Sequence, residues 1–93
     1  MKAEDELTEQ IVKHTATMEK VFANIRTELK EKEFKDLFDL AFAYFSDSKH
    51  FFEKKKLVQA FEALMISWAY IDAGLRLDVF ELLDNDLKDY FTK

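Results

Sequence analysis

The sequence predicts an all-α fold, a three-helix antiparallel bundle followed by a C-terminal tail, and three observations carry that prediction. Proline is absent and glycine occurs once, at Gly74, while Leu, Ala, Lys, Glu and Phe are abundant; strands and tight turns would demand more turn residues. Apolar residues recur at spacings of three and four, the period of a helix with one buried face. The phase of that recurrence breaks twice, which divides the pattern into three. A chain of 93 residues fits one domain with a single core and little stability to spare.

Helix 1 is expected over about residues 5–30. Leu7, Ile11, His14, Met18, Val21, Phe22, Ile25 and Leu29 form its narrow stripe. Continuing that stripe would require apolar residues near 32 and 36, where Lys32 and Asp36 stand, and the pattern restarts at Phe34. A turn is therefore expected around 30–33.

Helix 2, residues 34–53, has the stripe Phe34, Phe38, Ala41, Phe45, Ser48 and Phe52, widened by Leu37, Phe42, Tyr44 and Phe51. At about 100° per residue the widened face covers roughly 200°, so this helix needs more than one neighbour. The phase then skips from Phe52 to Leu57. A single helix could not keep both stripes inward across that skip, and a turn is expected at 53–56. Lys54, Lys55 and Lys56 fall there, where cations favour a helix C-terminus.

Helix 3, residues 57–80, carries Leu57, Phe61, Leu64, Trp68, Ile71 and Leu75 as its core stripe. A second sector holds Ile66, Tyr70 and Leu77, bordered by Ala63, Ser67, Ala73 and Gly74. Small residues in that row would let another backbone come close, at roughly 1 kcal/mol for glycine in place of alanine within a helix. This sector is the candidate interaction face, to be covered by the tail, by helix 1 or by a second copy of the chain. A symmetric homodimer is favoured, because closed two-fold pairs are the commonest way to bury such a face and because ten Phe, three Tyr and one Trp are a heavy aromatic load for one small core. In the tail, 81–93, Leu83, Leu87, Tyr90 and Phe91 could fold back, with Asp84, Asn85 and Asp86 as a turn.

Residues 47–77, DSKHFFEKKKLVQAFEALMISWAYIDAGLRL, resemble the central motif of the archaeal domain-of-unknown-function family 357. The elements that carry the likeness are Asp47 and Phe51, then Ala60, then the ending Asp72, Ala73, Gly74, Arg76 and Leu77. The preceding helix and Phe91 with Thr92 match more weakly. Two departures stand out: the family often has Gly-Asp at the turn, where this chain has Lys55 and Lys56, and often Gly after Arg-Leu, where it has Asp78. A turn of altered length and a longer helix 3 would follow. The resemblance implies a small helical bundle without an established activity, and an accessory role beside nucleotidyltransferase-like domains. Ser48, Phe51, Ala60, Leu64 and Ser67 also resemble one tetratricopeptide hairpin, a likeness of packing only, since such solenoids need about three units.

The chemistry these residues offer is limited. Asp72 and Arg76 are four apart with the acid first, the favourable order for an intrahelical pair; a structural pair is the main expectation, and an anion-binding polar edge is the alternative. His14 lies in the helix 1 stripe and reads as a seam residue, and His50 reads as solvated. The sequence has no His-x-x-x-His or Glu-x-x-His spacing to place metal ligands on one helix. It has no cysteine, which removes disulfides, thiolate zinc sites and cysteine nucleophiles and fits a cytoplasmic protein. The Arg followed five positions later by His, used by helical-bundle ribonucleases of the higher-eukaryote-and-prokaryote nucleotide-binding type, is missing: Arg26 is followed by Glu31, and Arg76 by Glu81. No catalytic residue, metal or cofactor is expected.

Charge narrows the partners. The net charge is -5; residues 1–56 carry 11 basic and 12 acidic side chains, and residues 57–93 carry 3 and 7. That balance disfavours nucleic acid. Lys49, Lys54, Lys55 and Lys56 gather at one hairpin tip, read chiefly as a solvated helix end. The run without charge, Ala63 to Ile71, is nine residues against the roughly 20 that span a bilayer, and MKAEDELTEQ does not read as a leader. The expectation is a non-enzymatic protein-interaction or self-association module. The alternative is an accessory domain that binds an anion or nucleotide for a nucleotidyltransferase-like enzyme.

Overall fold

A computed structural model describes residues 2–27 and 32–91. Its elements are α1 (Lys2–Ala23), β1 (Ile25–Thr27), α2 (Lys32–Glu53), α3 (Leu57–Arg76), β2 (Phe80–Leu82) and a 3-10 helix (Asn85–Tyr90). The protein is predominantly α-helical, with three long helices and one two-stranded sheet among the described residues. No helix among the described residues is long and apolar enough to cross a membrane.

The α2–α3 hairpin is the centre of the molecule, and small residues set its spacing. Ala41 and Ser48 of α2 and Ala60, Ala63 and Ser67 of α3 are buried at the contact. With little side-chain bulk between them, each serine reaches the opposite backbone: Ser67 Oγ donates to the Ala41 carbonyl at 2.6 Å, and Ser48 Oγ to the Ala60 carbonyl at 2.7 Å. Both buried hydroxyls are thereby satisfied, which matters because an unpaired one would cost on the order of 1–3 kcal/mol.

The turn between these helices is a left-handed closure. Lys55 has φ 61°; its N–H bonds to the Phe52 carbonyl at 3.0 Å and that of Lys56 to the Phe51 carbonyl at 2.9 Å. This is the paired closure that glycine usually makes at a helix end. The C-terminus of α3 repeats it, with Asp78 at φ 59° and the N–H groups of Asp78 and Val79 bonded to the Leu75 and Gly74 carbonyls. Lys55 and Asp78 are the two departures from the pattern that residues 47–77 otherwise resemble, where glycine is the expected residue. The turn geometry is kept without it, so α3 ends at Arg76 rather than running on to 80.

α1 lies along α3 in the same direction. Leu7 and Gln10 share a groove with Phe61, and His14 meets Trp68 edge-on, with ring centroids 5.3 Å apart. Ile11, Met18 and Val21 fill the seam. Phe22 reaches α2, stacking on Phe45 at 5.1 Å and meeting Phe38 and Phe42 edge-on.

The helix predicted to run to about residue 30 stops at Ala23. Asn24 closes it, its side-chain amide donating to the Lys20 carbonyl at 2.9 Å, and Ile25 leaves as a strand. β1 pairs antiparallel with β2 in the register Ile25 with Leu82, Arg26 with Glu81 and Thr27 with Phe80. Ile25 fits the helical period, but pairing with the returning tail satisfies its backbone instead. Leu29 and the first half of the turn expected at 30–33 lie outside the described residues; Lys32 and Glu33, expected in that turn, already belong to α2, which begins two residues earlier than the stripe starting at Phe34 suggested.

The tail folds back onto the bundle. Phe80, Leu82, Leu87 and Phe91 are buried, whereas Leu83 and Tyr90 are exposed. Asp84 caps the 3-10 helix by accepting from the Asp86 N–H at 3.0 Å, so Asp84, Asn85 and Asp86 form the expected turn.

Candidate functional site

The candidate face on α3 divides in two. Ala63 and Ser67 are buried against α2, and Gly74 lies against the Phe80 ring, which a Cβ at position 74 would overlap. The small-residue row thus seats two elements of the same chain. Ala73 is half-buried. Tyr70 is half-buried too and stacks on Tyr44, with centroids 5.9 Å apart and planes 22° from parallel. Ile66 and Leu77 remain open, at 39% and 67% exposure.

A second row from α2 meets this remainder. Leu37, Leu40, Tyr44 and Phe51 follow one another at helical spacings, and Leu40 is 45% exposed. α1 and the tail pack on the other flank, where Phe22 meets Phe38 and Phe42, and Trp68 meets His14 and Phe91. The flank with α1 and the tail is covered in part, Phe42 remaining 50% exposed, and the other presents Leu40 and Ile66 on the two helices of the tyrosine stack, with Leu77 just past the end of α3. Leu40 was missed in the sequence because it lies outside the core stripe of its helix. Its three-residue spacing from Leu37 and four-residue spacing from Tyr44 were the available signal.

The polar edge forms as an ion pair. Arg76 Nε donates to Asp72 Oδ2 at 2.9 Å, with the arginine about half exposed and the aspartate about a quarter. The other carboxylate oxygen, Oδ1, is buried and has no hydrogen-bond partner among the described residues. Asp72 also forms part of the wall of a hollow of about 340 Å³ between α1 and α3, together with His14, Met65, Trp68 and Ala69. His14 Nε2 donates to Gln10 Oε1 at 3.1 Å. Burial, with a smaller contribution from nearby Lys13, pushes the imidazole below its ordinary pKa, so the ring is neutral at pH 7. The parallel course of α1 and α3 brings His14 and Asp72 to one hollow. Nothing in their sequence separation foretold that meeting.

Elsewhere, a hollow of about 350 Å³ lies between the sheet, the end of α3 and the 3-10 helix, with Arg26, Asp78, Glu81 and Lys88 among its lining residues and Leu75 and Phe91 as apolar wall. Arg26 and Glu81 pair across the strands. Of the lysines near the hairpin tip, Lys49 pairs with Glu19 and stands 4.6 Å from the Phe45 ring centre, while Lys54, Lys55 and Lys56 are exposed, as is His50. Among the described residues no group of three or more His, Cys, Asp or Glu side chains could hold a metal ion.

The family model described as a protein of unknown function (DUF357) matches residues 9–80, from the second turn of α1 through the first residue of β2. Among solved structures, protein AF1782 from Archaeoglobus fulgidus, a DUF357 protein, is similar with a TM-score of 0.76 and 29% identity, over 86% of this chain and 97% of that one. No curated protein matches the chain.

Proposed function

We propose that this chain, which belongs to the DUF357 family of proteins of unknown function, is a non-enzymatic interaction module that associates through the uncovered side of its α2–α3 hairpin, with a second copy as the first partner to test. The observation that supports this reading is the row Leu40, Ile66 and Leu77, at 45%, 39% and 67% exposure around the Tyr44–Tyr70 stack. In a protein of this size exposed apolar side chains scattered singly need no explanation. Here they lie along two adjoining helix rows, on the flank that neither α1 nor the tail occupies.

The alternative, an accessory domain holding an anion or nucleotide at Asp72 and Arg76, has less behind it. Arg76 Nε already donates to Asp72, and the adjacent hollow has the acid, not the arginine, in its wall.

Sedimentation across a wide concentration range tests the proposal. The mass of the wild-type chain should rise toward that of a dimer, and Ile66→Glu or Leu77→Glu should return it to a monomer with unchanged helicity. A chain that stays monomeric at the highest concentration rules out self-association.

A further inference from the structure

The flank of the hairpin that neither α1 nor the tail occupies carries charge of one sign. In α2, positions 33, 37, 40, 44, 47 and 51 follow one another at steps of four and three, which is one helix face, and they set Glu33 and Asp47 on either side of Leu40 and Tyr44. In α3 the facing positions are 59, 62, 66, 70 and 73, with Glu62 one turn before Ile66. The bonds from Ser48 to Ala60 and from Ser67 to Ala41, with the Tyr44–Tyr70 stack, fix the register of the two helices. In that register Asp47 stands level with Glu62 and Ile66. Neither row contains a lysine or an arginine. Two flanking cations, Lys32 and Arg76, are each held by an aspartate of their own helix. Glu33, Asp47 and Glu62 are exposed and enter no ion pair among the described residues.

From this arrangement we infer that the flank is a docking face for a basic amphipathic helix, whose apolar stripe lies over Leu40, Ile66 and the tyrosine stack and whose bordering lysine or arginine side chains meet Asp47, Glu62 and Glu33. The inference rests on the reading of this flank as an association face and names the partner that complements it. A helix laid against an apolar face is held by its apolar stripe, and the charges beside the stripe select the partner. A second copy offers acids in return for acids, and like charges brought together across a contact cost affinity. An acidic helix fails on the same ground, and a nucleic acid would bring its phosphates against carboxylates. At about 1.5 Å per residue the α2 row from Glu33 to Phe51 is about 27 Å long, which matches a partner helix of about five turns.

The probe is a fluorophore-labelled peptide of about 18 residues, built from leucine and lysine alone with the leucines on one helix face. Titration with the intact chain should raise its anisotropy saturably, with a dissociation constant on the order of micromolar. An isomer of the same composition, with the leucines spread round the helix, should bind about tenfold more weakly or worse. Asp47→Lys combined with Glu62→Lys should weaken the amphipathic peptide by about tenfold, the scale of two surface charge pairs reversed. Asp47→Asn with Glu62→Gln, and separately Leu40→Ser, should each weaken it by about threefold. Asp5→Lys with Glu9→Lys is the matched control: it changes the net charge equally, on the outer face of α1, and should bind within about twofold of wild type. No saturable binding, equal binding of the isomer, or equal weakening by the α1 control would each overturn the inference. If the lysine variants lose their helical circular dichroism, the Asp47→Asn with Glu62→Gln and Leu40→Ser chains decide, and wild-type affinity in either would count against it. A chain that self-associates through Leu40 and Ile66 but does not bind the peptide would refute this partner and leave the association face standing. Peptide binding by a chain that stays monomeric would support the partner and exclude the second copy, and loss of both would overturn the association face itself.

Discussion

Individual residues show most clearly where the sequence departs from what its backbone prefers. Lys55 and Asp78 hold φ values of 61° and 59°, a conformation that costs a residue with a Cβ roughly 1–2 kcal/mol. Glycine would remove that strain but would also gain freedom in the unfolded chain, offsetting about 0.5–1 kcal/mol of the benefit. Lys55→Gly is therefore expected to raise stability by about 0.5–1 kcal/mol. Asp78→Gly should raise it by less, because aspartate tolerates the left-handed region better than lysine. Urea unfolding of both variants checks the order. His14 provides a separate test. Its folded-state pKa lies below the ordinary value because burial disfavours the charged ring, so the unfolded chain takes up a proton first as pH falls. The contribution is present above the ordinary histidine range and is lost as pH falls through it toward the folded-state value. Stability should decline between about pH 7.5 and 5.5, and His14→Gln should flatten that part of the profile. A profile of the same slope in the variant would mean that His14 is not its source.

Elements were legible wherever a periodic pattern and its interruption decided the outcome. Phe52 to Leu57 is such a case, because the break in phase leaves one solution, a reversal, and α2 ends at Glu53 with α3 starting at Leu57. β1 was not legible. Ile25 lies three residues beyond Phe22 and four beyond Val21, which suits the helical stripe, and only pairing with Leu82, across more than fifty residues of chain, makes it a strand. A three-residue strand has no period of its own to detect. The roles of the small residues in α3 were half legible: the sequence announced a close approach but not what approached. Gly74 meets the ring of Phe80, which in turn meets Phe38 edge-on at 6.0 Å. Gly74→Ala should then destabilise, although alanine favours the helix by about 1 kcal/mol, because overpacking costs typically 1–3 kcal/mol. Phe80→Leu should lose packing on its own, yet the double variant should be less destabilised than the sum of the two, since the smaller side chain leaves space for the new methyl group. A coupling of about 0.5 kcal/mol or more in that sense, measured by denaturant unfolding, is expected. Strict additivity would show that the ring and the glycine do not constrain one another.

For the molecule as a whole, α1 and the tail both pack on one flank of the central hairpin. The aromatic load that favoured a dimer from sequence is largely taken up inside the chain: Phe22, Phe38 and Phe45 join α1 to α2, while Phe80 and Phe91 anchor the tail. What still favours association is the character of the other flank. Its open residues are Leu40, Ile66 and Leu77, and its centre is a pair of stacked tyrosines. Two copies meeting there about a two-fold axis would place hairpin against hairpin, an isologous contact in which each residue row meets its own copy or its neighbour. Such a contact is driven by apolar burial, which salt does not screen. The alternative docking region, the exposed lysines 54–56, would act through charge, and exposed charges are screened beyond about 10 Å at 0.1 M salt. Salt therefore separates the two. Between about 50 and 500 mM sodium chloride the dimer dissociation constant should change by no more than roughly threefold, and sulfate should tighten it, because excluded salts strengthen apolar burial. Val58→Glu is the matched control: Val58 is 61% exposed but projects from the side of α3 away from α2, so this variant should associate like wild type while Leu77→Glu does not. A steep loss of association with salt, or a Val58→Glu chain as monomeric as Leu77→Glu, would move the contact away from the tyrosine stack.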